Sequence, residues 1–459
     1  MKFSKKHIFS RVFKIPVIKF EDQRLTSFAG LVLYQPVLQQ LQLKARLKKC
    51  FAHLKVSEIF GHPMIMLLLI LHLIMGYRKL RDLDYYQDDP MVKRVLGLQR
   101  LPDVSTVSRA LRTVDQKAID QVRALVQDLV IQRLKTLSLA RLTLDFDGSV
   151  ISTNQRRAEG TAVGFNKQKK GARSYYPLFC TIAQTGQVLD VLFRPGNVHD
   201  SNGAQEFIRR CLQVLKEALP GVALEARMDS AFFSDEIVTL LETQGVEFSL
   251  SVPFERFAEL KQMIQERKRW KRLDARWSWF ETFWKPKKWD SRFRFLLIRQ
   301  RVSLINRGPV QLDLFQPHQE GYDFKVIVTN KPIKAKKVLM FHNGRADQEG
   351  VFGELKSQAQ MDYIPVRRLG GNQFYNLAAI LAHNLTREIQ MVARLRDRGT
   401  TEKRSTLWVF EELRTLRHHI IQRAGRLTSP KGKLTLTMSA NEAVQKDFLG
   451  ILEAFKLAA

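Results

Sequence analysis

The sequence contains little cysteine and no long apolar run. Its 459 residues include Cys50, Cys180 and Cys211 and no Cys-x-x-C pair. Three separated thiols argue against a zinc ribbon or a disulfide framework and suit a reducing compartment. The most apolar stretch, from Met64 to Met75, is shorter than the roughly 20 residues that cross a bilayer. It therefore predicts a buried core helix and no membrane-spanning segment.

Acidic residues are few compared with basic ones. The chain has 75 Lys and Arg against 45 Asp and Glu, a formal net charge of +30. Such an excess indicates a polyanionic partner, with nucleic acid as the first candidate and a membrane surface or solubility alone as the alternatives. The basic first residues lack the apolar run and cleavage site of a signal peptide. We therefore expect a cytoplasmic protein that binds no membrane.

Composition and patterning divide the chain into five regions. Alternating strand patterns between helices predict an α/β fold, a mixed sheet flanked by helices. Leu101–Leu111 reads as a turn and a helix, typical of a helix-turn-helix reader or of an ordinary surface helix. The expected regions are a helical N-terminal DNA-binding region (1–138), the first part of the core (139–252), a β-rich insertion that is rich in Trp and basic residues (253–333), the second part of the core (334–395) and a basic C-terminal region (396–459).

Two aspartates are predicted at the ends of strands. The segment Leu142–Asp147 alternates, so that Asp145 and Asp147 share one face of a strand that ends at a Gly-Ser turn. Asp229 ends a second strand, 222–228. Carboxylates from separate elements that converge can hold the divalent ions used in phosphodiester chemistry. A salt-bridged pair at 145 and 147 and a helix cap at 229 remain the alternatives.

A third carboxylate follows Asn343-Gly344 on a predicted helix. Five residues of this helix are separated by 3, 4, 3 and 4 positions. Because each residue of a helix advances by 100°, they fall within one stripe about 80° wide. They are His342, Arg345, Glu349, Phe352 and Lys356. Glu354 falls on the opposite face. Glu349 can thus share a site with Arg345 and Lys356, although the helix taken alone favours a solvated Arg–Glu pair four residues apart.

Together these elements resemble the DDE transposases of bacterial insertion sequences. The branch concerned carries the signature Tyr-x₂-Arg-x₃-Glu-x₆-Lys, which here reads His342, Arg345, Glu349 and Lys356, with histidine in the tyrosine position. Within this branch, the motif sequences most closely resemble those of the insertion-sequence 1380 family. Its likeness extends to Leu-Asp-Phe-Asp-Gly-Ser near 147, Arg-Pro-Gly-Asn-Val-His near 199 and Asp-Ser-Ala-Phe-Phe-Ser at 229–234.

The resemblance implies an RNase H-like core whose catalytic and metal-binding residues are Asp147, Asp229 and Glu349, with Asp145 as the substitute for Asp147. It implies two Mg²⁺ (or Mn²⁺) ions per active site. The function it implies is that of a DNA transposase, which cuts at terminal inverted repeats and joins the ends to target DNA. The expected partners are double-stranded DNA and a second copy in a synaptic homodimer. The expected location is the bacterial nucleoid.

Several residues are expected to contact DNA. Arg345, Lys356 and His342 would lie at phosphates beside the scissile bond. A tryptophan of the insertion would stack on a flipped base, unless the four candidates simply pack in a sheet; these are Trp277, Trp279, Trp284 and Trp289. Basic runs would follow the DNA backbone; they are Arg156 and Arg157, Lys167–Arg173 with Lys169 and Lys170, and Arg267–Arg272. His199 and Asp200 lie either near the metals or in a structural turn.

Two other functions fit parts of the pattern. One is a non-catalytic or domesticated DNA-binding protein of the same fold, which the presence of all three acids disfavours. The other is an RNase H-like metal nuclease, which has less need for a basic N-terminal region and a tryptophan-rich insertion. Inverted repeats flanking the gene would separate these possibilities.

Overall fold

The computed structural model describes residues 15–54, 60–164, 166, 169–198, 202–301 and 322–457. The α-helices in these residues are α1 (Tyr34–Gln40), α2 (Leu43–Cys50), α3 (His62–Met75), α4 (Pro90–Leu96), α5 (Val104–Thr113), α6 (Gln116–Leu137), α7 (Ala204–Ala218), α8 (Asp235–Thr243), α9 (Ala258–Glu266), α10 (Ala335–Asn343), α11 (Asp347–Ser357), α12 (Leu369–Ala393), α13 (Leu413–Leu416) and α14 (Glu442–Leu457).

The strands of these described residues form three sheets. They are β1 (Leu25–Thr26), β2 (Arg141–Gly148), β3 (Ile151–Thr153), β4 (Ala162–Val163), β5 (Arg173–Tyr175), β6 (Leu178–Ile182), β7 (Gln187–Leu192), β8 (Ala223–Met228), β9 (Glu247–Val252), β10 (Lys271–Arg272), β11 (Trp277–Trp284), β12 (Phe293–Arg301), β13 (Tyr322–Thr329), β14 (Gly425–Thr428) and β15 (Thr435–Met438). The fold is thus mixed α/β, as the sequence predicts.

Within the described ranges, the largest sheet has nine strands in the order β10-β11-β12-β13-β9-β8-β2-β6-β7. β8 runs parallel to both β2 and β9, and the other neighbours are antiparallel. Helices α7 and α8 connect β7 to β8 and β8 to β9, as crossovers to parallel strands require. The carboxyl ends of β2, β8 and β9 therefore meet at one edge of the sheet.

The strand-rich stretch at 253–333 continues the same sheet. Its last described strand, β13, pairs with β9, so that β10 to β13 extend the sheet beyond the core strands. Three of these four strands, β11, β12 and β13, are eight or nine residues long. The residues between β12 and β13, 302–321, lie outside the described part of the chain.

Helix α3 is buried along most of its length and packs against α12. Eleven of its residues, from Ile65 to Met75, are buried. The apolar stretch is thus a core helix, as predicted. Among the described residues, none of the helices combines the length and apolar character that crossing a membrane requires.

Two smaller sheets were not predicted. β3, β5 and β4 form one, which lies in the chain between β2 and β6. β1, β14 and β15 form the other, in which Leu25 pairs with Arg426 and so ties the N-terminal helices to the C-terminal region. Strands of two to four residues are too short to show an alternating pattern.

Candidate active site

Asp147 and Asp229 lie side by side at one edge of the large sheet. The parallel ladder between β2 and β8 pairs Phe146 with Met228; Asp147 is the next residue of β2, and Asp229 directly follows β8. Neighbouring strands are about 4.8 Å apart, so the two carboxylates start from adjacent positions. Both side chains are half-buried. Asp229 also accepts a hydrogen bond from the Ala231 amide at 3.0 Å, and so acts as a helix cap as well.

Asp145 has a different environment from Asp147. It is 2% exposed, and Arg227 donates to its two oxygens at 2.5 and 2.6 Å. Burial raises the pKa of Asp145, and the charge of Arg227 opposes that rise. Arg227 is itself fully buried and also donates to the carbonyl oxygens of Phe341 and Lys403. Asp145 therefore forms a buried structural pair, and the substitute role suggested for it has no support in its surroundings.

Arg345 binds Asp147 directly. It lies in the 3₁₀ turn Gly344–Ala346 that joins α10 to α11, and its Nη1 donates to Asp147 Oδ2 at 2.8 Å. Lys356, at the other end of α11, is half-buried. Burial lowers the pKa of Lys356, while the charges of Asp362 and Asp147 oppose that shift. Two cations of the predicted stripe thus lie near Asp147.

Helix α11 places Glu349 on the side that faces this edge. Gln348 Nε2 donates to the Asp145 carbonyl oxygen at 3.0 Å, which fixes the start of the helix against β2. Phe352 packs on Phe179, with ring centroids 5.2 Å apart, and Phe179 is the cross-strand partner of Asp147. Glu349 lies one helical turn before Phe352, so it shares the same side of the helix.

The described residues do not bring the three acids into one cluster. No group of three His, Cys, Asp or Glu side chains among them is close enough to hold a metal ion. Glu349 is exposed and makes no ion pair within this part of the chain. The structure thus brings Asp147 and Asp229 together and leaves Glu349 outside the pair. The donor set, carboxylate oxygens only, fits Mg²⁺ or Mn²⁺.

His342 points into the protein. It is 1% exposed, and its ring nitrogens lie 3.0 Å from Ser249 Oγ and 2.9 Å from Ser251 Oγ, both on β9. Burial, with the nearby charge of Lys325, lowers its pKa well below the ordinary value. The ring is therefore neutral and is not presented to solvent. The buried ring, held by two serine hydroxyls, is not placed for the expected contact of His342 with DNA.

The four candidate tryptophans divide into two pairs. Trp284 and Trp289 are each 8% exposed. Trp284 Nε1 donates to Glu259 Oε2 at 2.7 Å, and Trp289 stacks on Phe233 with ring centroids 4.8 Å apart. Trp277 and Trp279 are half-buried on the opposite face of β11. Base stacking needs an accessible ring face, so Trp277 and Trp279 remain the candidates in this arrangement.

The described residues of the basic runs singled out in the sequence lie mainly in connecting segments and along the short strand β10. Arg156, Arg157, Lys169 and Lys170 are exposed in the segments that connect β3, β4 and β5. The basic residues of the run 267–272 are exposed before and along β10. Lys167, His199 and Asp200 lie outside the described residues. All the described basic residues of these runs except Arg173, which is half-buried, are thus exposed to solvent.

Glu354 lies on the face of α11 opposite the stripe, as the spacing predicts. It is buried at 4% exposure, where Arg387 Nη2 donates to it at 2.5 Å and His383 Nδ1 lies 3.3 Å away. Burial alone would raise the pKa of Glu354, but His383 and Arg387 lower it overall. Glu354 therefore joins α11 to α12.

We expect Glu354→Gln to destabilise the fold by about 2 to 3 kcal/mol, because a buried charged hydrogen bond is lost. Its effect on activity should follow stability and disappear at low temperature. Urea unfolding of the variant and wild type, followed by circular dichroism, measures the difference. An unchanged unfolding midpoint together with lost activity would contradict this assignment and make Glu354 a site residue.

The sequence patterns did not single out Arg227 or Lys325. Arg227 is the residue that distinguishes Asp145 from Asp147, and Lys325 lies near Arg345. The available signal was charge within strands of mostly apolar or small residues, which is Glu225 and Arg227 in Ala223–Met228 and Lys325 in Phe324–Thr329. Such a charge requires a partner or a ligand.

Residues 10–458 match the family described as transposase DDE domain group 1, and the chain belongs to that family of DDE transposases. No curated protein matches it. Among solved structures, it is similar to the piggyBac transposase in a synaptic complex with hairpin DNA, with 12% identity over 85% of this chain and 80% of that one, and a TM-score of 0.45. It is also similar to the Mos1 transposase in a paired-end complex with the left transposon end, with 14% identity over 37% of this chain and 56% of that one, and a TM-score of 0.19.

Proposed function

We propose that this protein is a DNA transposase that binds the ends of an insertion sequence and catalyses metal-dependent strand cleavage and strand transfer. The observation that carries the proposal is the adjacency of Asp147 and Asp229 at the ends of parallel strands, faced by Arg345 and Lys356. Membership in a DDE transposase family supports the same reaction. The residues of the motifs favour membership in the insertion-sequence 1380 family, and with it a location at the bacterial nucleoid.

The core strands support an RNase H-like fold. Five strands lie in the order β7-β6-β2-β8-β9, in which β6 is antiparallel to both its neighbours and β2, β8 and β9 are parallel. In this arrangement the first core strand carries Asp147 and the fourth carries Asp229. The strands β10 to β13 then form an insertion between the second aspartate and Glu349.

The site residues have separate roles in this proposal. Asp147, Asp229 and Glu349 would hold two Mg²⁺ or Mn²⁺ ions. When bound, such ions activate an attacking water or 3′-hydroxyl and stabilise the leaving oxygen. Arg345 would hold a phosphate beside the scissile bond through its planar fork, and Lys356 would do so as a point charge. Glu349 would join the two aspartates on assembly with DNA.

The wider DNA contacts follow from exposure and charge. Arg156, Arg157, Lys169 and Lys170 would contact phosphates of double-stranded DNA, at the inverted repeats and the target. Trp277 or Trp279 would stack on an unpaired base. Two protomers would join two ends in a synaptic homodimer. Affinity would fall steeply with salt, because each phosphate contact releases counterions.

Excision of a marked element tests the proposal. The repeats that flank the gene are placed around a marker, and the protein is supplied in trans. We expect wild type to excise the marker and Glu349→Gln to lower excision by about 100-fold or more, since the variant loses a carboxylate ligand. DNA binding should stay within about twofold of wild type, because the substitution adds no bulk.

The matched control is Glu217→Gln, which changes another exposed helical glutamate, on α7 near the opposite edge of the sheet. It should excise like wild type. Excision by Glu349→Gln at the wild-type level would remove Glu349 from the site. If wild type binds the ends but excises nothing, a copy-out pathway or a non-catalytic binding protein replaces the proposal. Cleavage without joining would favour a nuclease.

A further inference from the structure

Lys325 lies on the face of the sheet that carries Asp147 and Asp229. The ladder pairs Met228 with Leu250 and Ser251 with Ile327, so Ile327 is level with Asp229. Lys325 is two residues before Ile327 on β13 and therefore lies on the same face; because β13 is antiparallel to β9, this direction leads past the carboxyl ends of β8 and β9. At about 3.4 Å per residue, Lys325 lies about 7 Å beyond the edge formed by the two aspartates. The insertion thus projects past the candidate active site.

The surroundings of Lys325 contain cations and an amide. Its Nζ donates to Asn343 Oδ1 at 3.2 Å, and Asn343 is the last residue of α10, two residues before Arg345. Burial, with the positive charge of Arg345, lowers the pKa of Lys325 to about 8. Lys325 makes no ion pair with a carboxylate in the part of the chain that the structure describes, and Arg345 has Asp147 as its partner there.

A half-buried lysine beside an arginine is costly without an anion, because both charges are partly removed from water. The nearby carboxylate of Asp147 pairs with Arg345 and is also a proposed metal ligand, while Lys325 has the Asn343 amide oxygen as its partner. The arrangement leaves positive charge at the edge of the site. A phosphodiester oxygen would accept hydrogen bonds from both cations, and the Asn343 amide could donate a third.

We propose that Lys325, Asn343 and Arg345 form a binding site for a phosphate group of the DNA strand, next to the phosphate that is cut. This inference rests on the proposed function, and it assigns the insertion a role in holding the strand across the edge of the sheet. The alternative is structural, because a cation at the end of a helix also interacts favourably with the helix dipole.

The test measures binding of a double-stranded fragment from the flank of the gene by the full chain, in EDTA and over a series of salt concentrations. Loss of one phosphate contact lowers the slope of log affinity against log salt by about 1. We expect this change for Lys325→Gln, with affinity about threefold to tenfold weaker at low salt. Lys325→Arg should keep the slope, since it keeps the charge. No divalent ion is present, so binding is read without cleavage.

The control is Lys135→Gln, an exposed lysine near the amino ends of β2 and β8, at the opposite edge of the sheet. It should keep both slope and affinity. An unchanged slope for Lys325→Gln, with or without a lower melting temperature, overturns the phosphate site and leaves a structural role. If wild type itself does not bind the fragment, the proposed function fails, and the two failures are thereby distinguished.

Discussion

Asp147→Asn is expected to lower DNA strand cleavage by at least about 1000-fold, equivalent to about 4 kcal/mol of transition-state free energy. The substitution removes one carboxylate from the adjacent pair at the sheet edge and keeps the size and shape of the side chain. Folding should be preserved, because Asp147 is half-buried and its partner Arg345 is 21% exposed and can turn to solvent. Cleavage of a labelled end fragment in Mg²⁺ measures the effect.

Asp145, two residues before Asp147, provides the comparison for this prediction. Asp145→Asn makes the same chemical change on the same strand face, but it leaves the buried guanidinium of Arg227 without its counter-charge. Breaking such a pair costs about 3 to 5 kcal/mol of folding free energy. Asp145→Asn should therefore lower the melting temperature, and Asp147→Asn should not. The reverse pattern would exchange the roles assigned to the two aspartates.

The alternation of apolar and polar residues predicted the strand but could not show which of the two aspartates is a site residue and which is a buried structural one. The alternation in Leu142–Asp147 placed both aspartates on one face, and Asp145 stayed open as a substitute. The distinction comes from Arg227, which is 82 residues away in sequence and meets Asp145 only because β2 and β8 are neighbours. The pairing of distant strands determines which aspartate is buried against a cation, and periodicity within one segment carries no information about that pairing.

The helix at the site was also only partly predictable. The spacing from Arg345 to Lys356 indicated one stripe, but the helical backbone is divided by the 3₁₀ turn at Gly344–Ala346. A Cβ at Gly344 would lie 2.0 Å from the carbonyl oxygen of Lys403, so only glycine allows this approach. The part before the turn rests on β9, which explains why His342 is buried while Arg345 reaches Asp147.

Stability at low pH is expected to depend on Glu225, whose side chain is fully buried on β8. Lys331 Nζ lies 2.7 Å from its carboxylate, Arg404 Nε donates to it at 2.9 Å and Thr143 Oγ1 donates at 2.8 Å. Burial alone would raise the pKa of Glu225, but Arg404 and Lys331 lower it from 4.5 to about 2. Glu225 thus neutralises cations from two distant segments of the chain.

The direction of the pH effect follows from that lowered pKa. Above the ordinary value of 4.5 the carboxylate is ionised in both the folded and the unfolded chain, and its contribution to stability is complete. As the pH falls from 4.5 toward 2, the unfolded chain binds the proton first, and the folded state loses about 3 kcal/mol. Other carboxylates titrate in the same range, so the wild-type curve alone does not isolate Glu225.

The variant Glu225→Gln separates the contribution of Glu225 from those of the other carboxylates. We expect the variant to be less stable than wild type by about 3 kcal/mol at pH 7, because the buried Lys331 and the half-buried Arg404 lose Glu225 as an ionic partner. Lys331 keeps Glu247 as an ionic partner. The difference should shrink below pH 4.5 and nearly vanish toward pH 2, where Glu225 of the wild type becomes neutral as well. Urea unfolding of both proteins at several pH values measures this gap. A gap that stays constant with pH would mean that Glu225 contributes by shape and hydrogen bonding, and that its charge adds nothing.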